Sequence, residues 1–118
     1  MYNFEVNPAK KTFLITTSGM FKKEEAIEFI EEFEKKIKTL DPKQYTLIIN
    51  AKEQKPSSPD VLPLQEKAIG LYLNTPFAKR FSIEFDSIIT MQQIKRVGKN
   101  EMLDGFTFVN SLEEALKK

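Results

Sequence analysis

Apolar and polar residues alternate through residues 2–6, where Tyr2, Phe4 and Val6 are separated by Asn3 and Glu5, and the strand-like composition resumes over residues 12–17 after Asn7, Pro8, Ala9, Lys10 and Lys11. Two short runs of period two around a proline-bearing turn predict an antiparallel hairpin. Ser18 and Gly19 break the pattern, and the period then lengthens. Ala26, Phe29, Ile30, Phe33, Ile37 and Leu40 form one stripe at helical spacing with Ile27 on its flank, predicting a helix over residues 23–40. Glu24 and Glu25 near its start and Lys35, Lys36 and Lys38 near its end suit the helix dipole, and Asp41-Pro42 stops it. Residues 45–49 are a short β-branched run of the kind found in a buried central strand, ending at Asn50-Ala51. Residues 52–60 lack apolar periodicity and read as a polar connector. Residues 61–73 then predict a second helix with an unusually broad apolar arc: Val61, Leu64, Ala68 and Leu71 on one stripe, Leu62, Ile69 and Leu73 on the next. Pro63 belongs in a first helical turn, which makes Asp60 a better N-cap than Ser57 or Ser58.

Phe81, Ile83 and Phe85 alternate with Ser82 and Glu84, predicting a strand with one apolar and one polar face. Asp86 or Ser87 can cap a third helix whose stripe is Ile88, Met91, Ile94 and Val97, with Gly98 placed to end it. Residues 106–110 form a last strand, and Ser111 with Glu114 matches a capping box that opens a short terminal helix carrying Ala115 and Leu116 inward. The order β-β-α-β-α-β-α-β-α implies an α/β domain: one layer of mostly parallel strands joined by right-handed crossovers, with an opening antiparallel hairpin.

The 118 residues suit a single domain, 1–118, large enough to bury a core without a disulfide or metal staple. With no Cys and no His, a thiol nucleophile, an imidazole base, a Ser-His-Asp triad and the usual zinc sites are excluded, and no cofactor is expected. No glycine-rich phosphate loop is present among four scattered glycines, and the carboxylate pairs Glu24/Glu25, Glu31/Glu32 and Glu113/Glu114 are sequence neighbours that point apart on a helix. A formal charge of +1 offers no general attraction to phosphate. Lys95, Arg96 and Lys99, joined by Lys79 and Arg80, form at most a local basic patch, so no nucleic-acid partner is expected. No apolar run approaches the roughly 20 residues of a membrane span, and the N-terminal residues lack signal-peptide character, so a cytoplasmic protein is expected. Sixteen of the 18 basic residues are lysine, a bias in keeping with an AT-rich bacterial genome.

Two places remain where function would sit. The connector leaves the carboxyl end of a central strand and enters a helix N-terminus, where open α/β sheets place their sites. It carries Asn50, Lys52, Ser57, Ser58 and Asp60. The second is an apolar pocket between the sheet and the second and third helices, lined by Phe77, Phe81, Phe85, Ile88 and Met91, which would take a small molecule or lipid.

The chain resembles the STAS superfamily, named for sulfate transporters and anti-sigma-factor antagonists, and within it the small stand-alone bacterial proteins. The resemblance rests on the opening hairpin, residues 12–17 with Ser18-Gly19 and the acidic helix start Glu24-Glu25-Ala26, the strand over 45–49, the serine-bearing loop, and the close through residues 106–110 and Ser111 to Ala115. It implies strands ordered roughly as in sequence, helices largely on one face, and a non-enzymatic regulator that changes protein partner by phosphorylation of a hydroxyl in the loop opening the second helix, where Ser57 and Ser58 fall. The family's acidic residue after the strand is Asn50 here, and its Asp-Ser-Ser/Thr-Gly-like segment is replaced by Lys55-Pro56-Ser57-Ser58-Pro59-Asp60.

Overall fold

Tyr2–Asn7 (β1) and Thr12–Gly19 (β2) form the expected hairpin, with Phe4 opposite Ile15 and Val6 opposite Phe13. Asn7 Oδ1 accepts the Lys10 N–H at 3.1 Å, and Lys11 closes the turn in the left-handed region at φ 55°. Thr46–Gln54 (β3), Lys79–Ile83 (β4) and Thr107–Val109 (β5) add in parallel, giving a five-stranded sheet in the order β1-β2-β3-β4-β5. The computed structural model describes residues 1–83, 89, 92, 93, 96 and 105–118. Glu84, Phe85 and the residues expected to cap, line and end the third helix (Asp86, Ser87, Ile88, Met91, Ile94, Val97 and Gly98) lie outside them, as do Lys95 and Lys99. Among the described residues no helix is long and apolar enough to cross a membrane.

Strand alternation divides the core in two. Phe13, Ile15, Leu47 and Ile49 face the helices Lys23–Ile37 (α1) and Leu62–Asn74 (α2), whereas Ile48, Phe81, Ile83 and Val109 face the terminal helix Leu112–Lys117 (α3). α1 buries Ala26, Phe29, Ile30 and Phe33 as its stripe requires, with Phe29 meeting Tyr2, Phe4 and Phe21 edge-on. It ends at Ile37 and not at residue 40, because the Thr39 N–H and hydroxyl both turn back to the Lys36 carbonyl. Ser111 caps α3 by accepting the Glu114 N–H at 3.2 Å, while Glu114 Oε2 accepts the Asn110 N–H at 2.8 Å, one residue earlier than a standard capping box.

Four expectations need correction. Asp60 is not the N-cap of α2: Val61 holds that position, already in the helical region, and the helix start has no side-chain cap. The inward side of α2 is Val61, Ile69 and Tyr72, with Leu64, Leu71 and Leu73 half-buried, so the broad arc is largely covered and Tyr72 joins it. Arg80 is not part of a basic patch. It reaches from β4 to the end of α2 and donates to the carbonyls of Tyr72 at 2.8 Å, Leu73 at 3.1 Å and Thr75 at 2.6 Å, supplying the cation that the helix's own last turn lacks. Finally, Ser82 lies on no solvated face. It is fully buried between Ile49 and Phe108 in the sheet, and its hydroxyl has no hydrogen-bond partner among the described residues.

Candidate functional site

The carboxyl ends of β2 and β3 differ from expectation in a way that shapes the site. β3 continues to Gln54, pairing Glu53 with Ser18 and Gln54 with Gly19, and the Lys55 N–H reaches the Gly19 carbonyl at 2.9 Å. Asn50 and Lys52 are therefore strand residues, and the connector proper begins at Lys55. Asn50 pairs with Ile83, is half-buried, and uses its Oδ1 to accept the Lys52 N–H at 3.3 Å; Lys52 is exposed. Between the pairs Thr16/Asn50 and Ser18/Glu53, β3 carries one residue more than β2. Such a bulge reverses the alternation. It returns Gln54 to the side facing α1 and α2, where its Oε1 accepts the Thr17 hydroxyl at 2.9 Å, both residues buried.

The two serines of the connector have opposite environments. Ser57, although it lies in the polar connector, is only 6% exposed. Its backbone is clamped by the Gln93 side chain, which accepts from the Ser57 N–H at 2.8 Å and donates to the Ser57 carbonyl at 3.0 Å. Its hydroxyl accepts from Gln65 Nε2 at 2.6 Å. Ser58 is half-buried and donates its hydroxyl to the carboxylate of Asp60, which is exposed. Ser58 is thus the hydroxyl of the pair that presents itself at the entry to α2, with a carboxylate beside it.

Under this loop the layer between helices and sheet is not filled. A cavity of about 80 Å³ lies over β2 and β3, between the first halves of α1 and α2. Its origin is legible in three small residues that meet from three elements, Ala26 of α1, Ala51 of β3 and Ala68 of α2, where longer side chains would close it. Phe29 and Tyr72 form aromatic walls, and burial pushes the Tyr72 phenol well above the ordinary tyrosine range, so it stays neutral. Thr17, Gln54 and Gln65 are the polar lining. The Gln65 Oε1 is buried with no partner among the described residues.

The aromatic pocket expected from the sequence is not assembled from its described members. Phe77 packs in the core beneath α1 and α2, Phe81 in the core on the opposite side of the sheet, and neither lines the cavity; Phe85, Ile88 and Met91 lie outside the described residues. Sequence reasoning also missed three glutamines, Gln54, Gln65 and Gln93. Gln65 alone left a trace: it stands four residues from both Val61 and Ile69, a polar side chain within the inward side of α2.

No protein-family model and no curated protein sequence matches the chain. Solved structures do. The chain is similar to an uncharacterised DUF3478-family protein with a SpoIIAA-like fold from Shewanella loihica PV-4, at 15% identity and TM-score 0.70 over 99% of this chain and 90% of that one. It is also similar to the unphosphorylated anti-sigma factor antagonist SpoIIAA, at 13% identity and TM-score 0.61 over 99% and 94% of the two chains. The chain has a SpoIIAA-like fold. A third match is the phosphorylated Bacillus cell fate determinant SpoIIAA, at 16% identity and TM-score 0.55 over 99% and 97%. The SpoIIAA-like fold is the STAS-type architecture that the resemblance implied, with strands in sequence order and α1 and α2 sharing one face.

Proposed function

We propose that this chain is a regulatory module without catalysis of its own, acting by contact with a protein partner through the loop from Lys55 to Val61, the adjoining Lys52, and the exposed positions Pro63, Glu66 and Lys67 of α2. The observation that carries the reading is the contrast between the two serines. Ser57 is locked by Gln93 and Gln65 and serves as a rigid base, while Ser58 stands at the start of α2 with its hydroxyl against Asp60. A phosphate on Ser58 would add close to two negative charges beside an existing carboxylate, and a partner contact desolvating that corner would be lost or exchanged. The fold neighbours support this reading, since SpoIIAA is an anti-sigma factor antagonist whose structure exists in unphosphorylated and phosphorylated forms. The cytoplasm is the compartment in which such a switch would operate.

The test uses wild type, Ser58→Ala and Ser58→Asp as baits in lysate from the source cell, after equal melting temperatures have been verified, together with phosphosite mapping of the protein isolated from that cell. The reading expects one specific protein to be retained by wild type and Ser58→Ala and lost with Ser58→Asp. It is overturned if all three baits retain the same proteins and Ser58 carries no phosphate under any growth condition.

A further inference from the structure

The end of the sheet at which the parallel strands begin carries a charge pattern that the formal total of +1 conceals. Thr12, Thr46 and Lys79, the first residues of β2, β3 and β4, stand side by side, and two positions on Leu14, Ile48 and Phe81 form the next row of the same face. α3 packs over β3, β4 and β5, and between its last turn and this corner of the sheet runs an open groove of about 380 Å³. Ile48 and Phe81 are its narrow floor, and Leu116, expected inward with Ala115, stands 44% exposed along its wall. The ionised groups that line it, among the described residues, are all cations: Lys10 from the hairpin turn, Lys79 and Lys118. Lys79 donates to the Lys118 carbonyl at 2.6 Å, offsetting the negative end of α3, and Lys118 meets Glu114 at 3.4 Å. No carboxylate among the described residues pairs with Lys10 or Lys79.

We propose that this groove docks an acidic protein segment, its Asp or Glu side chains set against the three lysines and one apolar side chain against Leu116. Charge complementarity selects the sign of the occupant. The residue types then select its class. Nucleic-acid phosphates are gripped best by the planar fork of arginine, but the groove holds only lysines, Arg80 being engaged with the carbonyls at the end of α2. A lipid surface is entered by a row of apolar side chains, and Leu116 is the one large exposed apolar residue among the described lining. Carboxylates spaced along a peptide need neither. The volume lies at the low end of the roughly 300–1,000 Å³ of binding clefts, enough for a short stretch of chain. The groove is at the opposite end of the strands from Ser58, so it is a second contact surface and does not rest on the first.

The experiment titrates the whole chain with a short peptide of glutamates around a central leucine, followed by NMR of the Thr12, Thr46 and Leu116 backbone amides. The expected result is saturable shifts at low salt, with binding at least about tenfold weaker for the same peptide carrying glutamine in place of glutamate, and at least about tenfold weaker at roughly 0.5 M salt. Lys10→Glu should weaken binding at least about fivefold, and so should Leu116→Asp, with Lys79→Gln taking its place should α3 loosen. Lys23→Glu makes the same change in net charge at the other end of the strands and should leave the affinity within about twofold. Equal binding of the two peptides, equal losses from Lys10→Glu and Lys23→Glu, or no saturation with the glutamate peptide while phosphatidylserine vesicles or a single-stranded RNA bind would each overturn the proposal. The Ser58 baits are read separately, so failure here leaves that reading standing and failure there leaves this one.

Discussion

Aspartate at Ser57 and at Ser58 should have sharply different costs although the residues are neighbours. A carboxylate at Ser57 enters a site that is 6% exposed, where the native hydroxyl accepts from Gln65 Nε2 at 2.6 Å and the backbone is pinned on both sides by Gln93. Loss of a satisfied hydrogen bond costs about 1 kcal/mol, and a buried carboxylate with a single amide donor adds a desolvation penalty of several kcal/mol, partly relieved by protonation or by displacement of the loop. A net destabilisation of about 2–4 kcal/mol follows. At about 3–6 °C per kcal/mol for a domain of this size, the melting temperature should fall by about 6–24 °C. Ser58→Asp places its charge at a half-buried site next to exposed Asp60, where repulsion in water and attraction to the start of α2 nearly offset, for a net change under about 1 kcal/mol. Ser57→Ala isolates the hydroxyl and should cost about 1 kcal/mol. Urea titrations of the three variants decide the matter. Equal midpoints for Ser57→Asp and Ser58→Asp would mean that the Gln65 and Gln93 clamp does not hold in solution.

Ile30→Ala, which opens a void under α1 at a 5% exposed position, should cost about 2–5 kcal/mol, against under about 0.5 for Glu31→Ala on the exposed side, as read from denaturant midpoints. Arg80→Ala strands three carbonyls at the end of α2 and should cost about 2–4 kcal/mol, with Arg80→Lys recovering only part because an ammonium cannot reach all three at once; a cost near zero in the same titration would contradict the cap. Glu114 has its pKa lowered from the ordinary 4.5, first by the Asn110 N–H and then by Lys118. Its contribution to holding α3 is therefore complete above 4.5 and is lost as the pH falls through the lowered folded value, an acid dependence that Glu114→Gln should remove from amide-exchange protection at Asn110.

How much of this was legible beforehand can be traced to which interactions are periodic. The hairpin, α1 and the Ser111 cap follow from alternation, a 3.6-residue stripe and a four-residue motif, all carried by consecutive residues, and the structure has each of them, with α1 ending at Ile37 and Glu114 reaching back to Asn110 in place of Ser111. The expected end of β3 was wrong for the opposite reason. Residues 50–54 read Asn-Ala-Lys-Glu-Gln, a polar stretch with no strand period, because one extra residue in β3 breaks the alternation and because the partners that hold it, Ser18 and Gly19, lie more than thirty positions earlier. The same bulge is what turns Gln54 toward Thr17 and completes the polar corner of the cavity. Arg80 and Gln93 were missed on similar grounds: each acts on a segment five to thirty-six residues away, through a backbone carbonyl or amide that carries no side-chain signature. What local pattern could offer was an inconsistency, a glutamine among the inward residues of α2. In a well-packed core such a residue implies a partner, and here one end of its amide has Ser57 while the other is unmatched among the described residues.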